Sequence, residues 1–177
     1  FNGRHEEVPL EIASPRMTLK AGAGFHPVVV FRPQLSSLES VREMIRLAGG
    51  STSRLAIQGV ELRLELPSDP SYGWSLLAMY TGQSLELADC VLTVQNVDER
   101  HTQVAMIDVR ARRPAETMTM TQPQPSMASP TRLSLDRCIA RGAASVIGMN
   151  EETPLDVRWN QGLIVTPWYF VETGGST

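Results

Sequence analysis

Ser84-Leu85-Glu86-Leu87-Ala88-Asp89-Cys90-Val91-Leu92-Thr93-Val94 decides the fold, because its shape recurs on both sides at comparable intervals. Upstream stands Arg54-Leu55-Ala56-Ile57-Gln58-Gly59-Val60-Glu61-Leu62-Arg63-Leu64, and downstream Arg132-Leu133-Ser134-Leu135-Asp136-Arg137-Cys138-Ile139-Ala140-Arg141-Gly142. A looser copy runs from Leu155 to Val165. Each copy alternates apolar and polar residues, places a small or polar residue at a corner, and alternates again, the period of half-buried strands joined by a tight bend. Aligned on their corners, Val60, Cys90, Cys138 and Asn160 form one column, and Leu62, Leu92, Ala140 and Leu163 its neighbour. Columns of like residues are what coils stacked about 4.8 Å apart require.

The expected fold is therefore all-β: a right-handed parallel β-helix of about four to five coils, since crossovers between parallel strands are right-handed. A β-sandwich is the alternative, because short alternating strands between turns fit it too. A chain of 177 residues suffices for one such domain over 1–177. It starts without methionine and is read as a piece of a longer protein.

Around these copies the chain fills in as further strands. Glu7–Ile12 and Met17–Ala21 alternate, and Val28–Phe31 is a continuous apolar run; together they read as one opening coil. Leu35–Val41 reads as an excursion with a helical turn through Leu38 and Val41. Strands are expected at Met44–Leu47, Trp74–Tyr80, Val104–Val109 and Ser145–Met149, with Trp168–Val171 opening a last coil. Between the third and fourth of these the corner is expanded into an insert over 111–130, whose four prolines argue against regular pairing.

Net charge is −3 and no basic cluster is present, so a nucleic-acid partner is not expected. No apolar run is long enough to span a membrane as a helix. Of the 16 basic residues only Lys20 is a lysine. Two cysteines are too few for a disulfide scaffold. Sharing one column, Cys90 and Cys138 read as stacked buried thiols, with a disulfide as the alternative that parallel stacking would strain.

The opening segments Asn2–Ile12 and Met17–Phe31, with the copies ending at Cys90 and Cys138, resemble pectate-lyase-like parallel β-helix domains. They are most similar to versions in large planctomycete proteins, some of which carry serine/threonine protein kinase domains. The resemblance implies an architecture and an extracytoplasmic or cell-surface, glycan-facing setting. A kinase core is not in this sequence, which lacks a glycine-rich phosphate loop, His-Arg-Asp and Asp-Phe-Gly.

Lyases of that fold use calcium-binding acids and a basic proton acceptor on one strand face. The residues here that could serve are Asp108 and Arg110, then Asp136, Arg137, Asp156 and Arg158. The plainer reading pairs them as Asp–Arg neighbours on outward positions. Hydrolases would need clustered acids, for which Asp136 and Asp156 would have to stack. Arg46, Met79, Asp108 and Gly148 occupy comparable places in their strands, a column that does not repeat an acid. Trp74, Tyr80, Trp159, Trp168 and Tyr169 would form a sugar-stacking platform if they faced outward together. His5, His26 and His101 have no metal spacing, so no metal site is assigned, calcium entering only with the lyase alternative. The expectation is a non-catalytic scaffold or recognition module for a glycan or protein partner, in a larger kinase-associated protein. A lyase or hydrolase of acidic polysaccharide is the alternative.

Overall fold

The structure, a computed structural model, describes residues 3–33, 42–67, 73–96, 103–111, 130–149 and 153–174. Among them are seventeen strands and no helix, arranged in three sheets. The first sheet contains β1 (Arg4–Glu7), β4 (Val28–Phe31), β7 (Glu61–Glu65), β10 (Val91–Gln95), β13 (Ile139–Gly142) and β16 (Leu163–Val165). The second contains β2 (Leu10–Ile12), β5 (Glu43–Leu47), β8 (Trp74–Tyr80), β11 (Val104–Arg110), β14 (Ser145–Met149) and β17 (Val171–Thr173). The third contains β3 (Arg16–Lys20), β6 (Arg54–Gln58), β9 (Ser84–Ala88), β12 (Thr131–Asp136) and β15 (Leu155–Asn160).

Every strand from β1 to β14 pairs in parallel with the strand three later in sequence, so the chain visits the three sheets in turn and returns. That is the connectivity of a parallel β-helix or solenoid, and parallel pairing throughout is incompatible with the antiparallel sandwich. Five visits to all three sheets and a sixth to two exceed the four to five coils expected. The difference arises at the start: Glu7–Ile12 is two strands, split at Val8-Pro9, and Val28–Phe31 opens the second coil rather than closing the first. At the far end the strand lies at Val171–Thr173, not at Trp168–Val171. The helical turn expected at Leu38 and Val41, and nearly all of the 111–130 insert, lie outside the described residues.

The core fills the space between the sheets. Leu62, Leu92 and Ala140 lie in register, as do Leu55, Leu85 and Leu133, and all six are buried. Each buried leucine contributes about 1.5–3 kcal/mol, and the stacking makes each coil's burial depend on its neighbours.

The corner from the third sheet back to the first is two residues long in four successive coils: Gly59-Val60, Asp89-Cys90, Arg137-Cys138 and Gln161-Gly162. Its leading residue is left-handed each time, with φ of 71°, 53°, 51° and 51°. The backbone ladder continues through it, Gly59 N–H donating to Ala88 O at 2.9 Å and Asp89 N–H to Asp136 O at 3.0 Å. The column of the buried Val60, Cys90 and Cys138 thus continues at the exposed Gly162, not at Asn160, whose register partner is Asp136. Gly162 holds that place because a Cβ there would strike the Trp159 ring and Cys138 O. The neighbouring column ends at Ile164 rather than Leu163. Cys90 and Cys138 are free buried thiols; Cys138 is held protonated by its hydrogen bond with Cys90 and by burial.

Candidate functional site

The three sheets differ on their outer faces. Those of the first and third carry partly exposed charges joined between coils: Arg4 and Arg32 on Glu65 at 2.6 Å each, Arg54 on Glu86 at 2.5 Å, and Arg137 on both carboxylate oxygens of Asp89 at 2.6 and 2.9 Å. On the second sheet the corresponding face is buried. Ala78 and Ala105 are hidden from solvent yet do not belong to the core cluster. A Cβ added to Gly148 would lie 2.9 Å from the Ala105 Cβ and 3.8 Å from Asp108 Oδ1, which puts these three residues on one face.

The floor of this face consists of small residues because the register aligns them. Glu43, Ser75, Ala105 and Ser145 form one row across β5, β8, β11 and β14; Arg46, Ala78, Asp108 and Gly148 form another. Ala78, not Met79, is therefore the residue beside Asp108, Met79 lying beside Val109. Traced through β2 and β17, the second row starts with Glu11 and ends with Glu172, so acids do recur along it.

Arg110 organises the polar groups. Its Nε lies 2.7 Å from Asp108 Oδ2, and its Nη1 bonds Glu43 two strands away. Burial raises the Asp108 carboxyl above its ordinary range, Arg110 opposing it. Burial works against the Arg110 charge, but Asp108 and Glu43 outweigh it and hold the guanidinium ionised more firmly than usual. Two carboxylates on one guanidinium leave a surplus negative charge in a poorly solvated place. In the same row as Glu43, the Ser75 hydroxyl is buried with no hydrogen-bond partner. The Ser145 hydroxyl, by contrast, donates to Glu172. The arrangement is an acceptor-rich, small-floored face, hidden from solvent, with one unsatisfied hydroxyl, a donor and acceptor set that matches a polyhydroxylated group.

The other sequence candidates do not join this cluster. Asp136 lies on the outer face of the third sheet, bonded to Arg137 and accepting from Asn160 Nδ2 at 2.8 Å. Asp156 pairs in register with Arg132 and lies 3.5 Å from Arg158. Asp136 and Asp156 occupy different rows and do not stack. Trp74 is buried in the core at the start of β8, and Tyr80, half-buried, ends the same strand opposite Arg110. Trp159 and Trp168 pack against the core, Trp159 meeting Phe170 edge-on at 5.9 Å, while Tyr169 is exposed. These aromatic residues are spread over two strands and a connection rather than assembled as one platform. Among the described residues no group of three or more His, Cys, Asp or Glu side chains is placed to hold a metal, and no helix is long and apolar enough to cross a membrane.

Glu43, Ser75 and Ala78 are the members that sequence reading missed, whereas Gly148 had already been placed beside Asp108. Their signal was the small and polar residues at the first or second position of these strands and again near their ends, visible once the strands are placed in register. Comparison with known families, curated proteins and solved structures finds no match for this chain.

Proposed function

We propose that the chain is a right-handed parallel β-helix, built on the plan of pectate-lyase-like domains, that acts as a non-catalytic recognition module. The buried outer face of the second sheet takes a hydroxyl-rich ligand, a glycan or a partner presenting one, and the stacked coils supply a rigid frame. In a larger multidomain protein the same module would serve as an extracytoplasmic sensor, whether or not a kinase is attached. The observation that supports recognition rather than turnover is the engagement of both buried acids, Asp108 and Glu43, by Arg110. A guanidinium so committed is a poor proton acceptor, and carboxylates so neutralised are poor nucleophiles. The unpartnered Ser75 hydroxyl supports a ligand contact at the same place.

A polysaccharide screen with and without calcium, recording binding and product in the same wells, tests this. Binding without product is expected, weakened roughly tenfold or more in Asp108→Asn, the loss typical of a charged hydrogen bond. Products that vanish in Asp108→Asn would replace this reading with a lyase or hydrolase of acidic polysaccharide. That second reading draws support from the burial that raises Asp108 beside a second acid, the direction of shift that general-acid catalysis uses.

A further inference from the structure

We propose that the ligand of the second sheet's outer face carries positive charge: a sugar with a free amine, such as a glucosamine oligomer, rather than a neutral or acidic glycan. This deepens the recognition reading above and rests on it.

The second sheet is creased along the stack. Met44 and Ile45, Leu76 and Leu77, Met106 and Ile107, and Val146 and Ile147 are consecutive residues, yet both members of each pair lie in the core. Two inward residues in succession break the strand period of two. The residues flanking each pair, such as Ser75 and Ala78 or Ala105 and Asp108, therefore share the outer side although they are three places apart. On a flat sheet the two rows they belong to would stand about 10 Å apart. Here they meet across the bend. A Cβ on Gly148 would lie 2.9 Å from the Ala105 Cβ in the opposite row. Arg110, on the Asp108 side, reaches Glu43 in the opposite row. Ser145 donates to Glu172, the register partner of Gly148.

Acids outnumber bases in this crease. Among the described residues Glu11, Glu43, Asp108 and Glu172 line it, against Arg46, held by Glu11, and Arg110, held by Asp108 and Glu43. Glu43 and Asp108 are only 7% and 8% exposed, so water screens little of the surplus. An ammonium group on the ligand relieves it, whereas a uronate would add one more carboxylate. The Ser75 hydroxyl is a second, independent pointer. It is buried without a partner, beside Glu43 in the register and on the same side of the bend, so a ligand hydroxyl or amine would supply the hydrogen bond it lacks. Entry lies toward the strand ends. There the Arg110 side chain is 30% exposed, and its register partner Tyr80 is half-buried and offers a ring to the face of a sugar.

Calorimetric titration of the chain with a glucosamine tetramer, its N-acetylated counterpart and an oligogalacturonate tests this. The free-amine oligomer is expected to bind about tenfold tighter than the acetylated one, as a charged hydrogen bond would give, and the galacturonate weakest of the three. Added salt should weaken the first and leave the second unchanged. Glu43→Gln removes one acid at nearly constant shape and should erase the preference for the free amine while the acetylated oligomer still binds. Ser75→Ala removes a hydroxyl that has no partner in the fold, so it should weaken both oligomers with the melting temperature unchanged or raised. Equal binding of the free-amine and acetylated forms, or tighter binding of the galacturonate, overturns the charge assignment and leaves the recognition reading standing. Free-amine binding indifferent to both Glu43→Gln and Ser75→Ala overturns the placement in the crease. No binding of any of the three overturns this proposal, and the polysaccharide screen then decides the recognition reading by itself.

Discussion

At the corner between the third and first sheets a single φ value decides whether the coil can close. Gly59, Asp89, Arg137 and Gln161 all adopt the left-handed conformation, which costs a residue with a Cβ about 1–2 kcal/mol. Gly59 avoids the cost, and a Cβ there would also sit 3.2 Å from the Ala21 Cβ. Gly59→Ala is expected to lower stability by about 1–2 kcal/mol, read as an earlier urea midpoint at unchanged slope. Asp89 and Arg137 accept the strain one above the other, and their bidentate ion pair spans the two coils. Glu61 shows how pH enters. Burial would raise its carboxyl, yet hydrogen bonds from Arg63 and Thr93 and the nearby Arg141 carry it below its ordinary 4.5. A folded-state value below the unfolded one gives stability that is present above pH 4.5 and is lost as pH falls through the folded value. Glu61→Gln should therefore cost about 1–2 kcal/mol at neutral pH, with the gap between wild-type and variant melting curves narrowing in acid. A gap that widens in acid would contradict the assignment.

At the scale of the strand, the alternating residues are strong evidence because each coil has the same inward set and the sets lie in register. Leu92, between Leu62 and Ala140 and fully buried, should cost about 2–5 kcal/mol on change to alanine. Leu19, in an equivalent inward position but on the first coil, is 38% exposed and should cost less than about 1 kcal/mol. Equal losses at the two sites, measured by denaturant unfolding, would mean that the first coil is covered in solution. The same periodicity made the strand stack readable in the sequence, down to the columns of Leu62, Leu92 and Ala140 and of Val60, Cys90 and Cys138. Reading failed where the signal is not periodic. Arg4–Glu7 has no apolar alternation, since its inward positions hold His5 and Glu7, and was absorbed into the next strand. The last corner was placed two residues early because its glycine answers to the Trp159 ring, a contact that no local pattern announces. The outer face of the second sheet was half seen: Asp108 and Arg110 sit on one strand and could be named, whereas Glu43 reaches them across two strands. Such a meeting depends on register, and the connections between these strands vary in length.

At the scale of the whole molecule, contacts run between successive coils and almost nowhere else, so stability is a sum of coil and neighbour contributions. The direction of the backbone bonds in that stack has a mechanical consequence. All inter-strand bonds point along the axis on which the coils are piled, and a tether drawn from the two ends loads them one rung at a time rather than together. The chain should then pay out in uneven lengths. The pair Asn160 and Asp136 on adjacent coils is separated by 24 residues, whereas Arg137 and Asp89 are separated by 48. Released coils of those sizes would lengthen the tether by roughly 80 Å and roughly 160 Å at about 3.4 Å per residue. A single-molecule pulling trace should carry these increments as a signature of coil order, and one abrupt extension of the whole chain would mean that the coils rupture as a block.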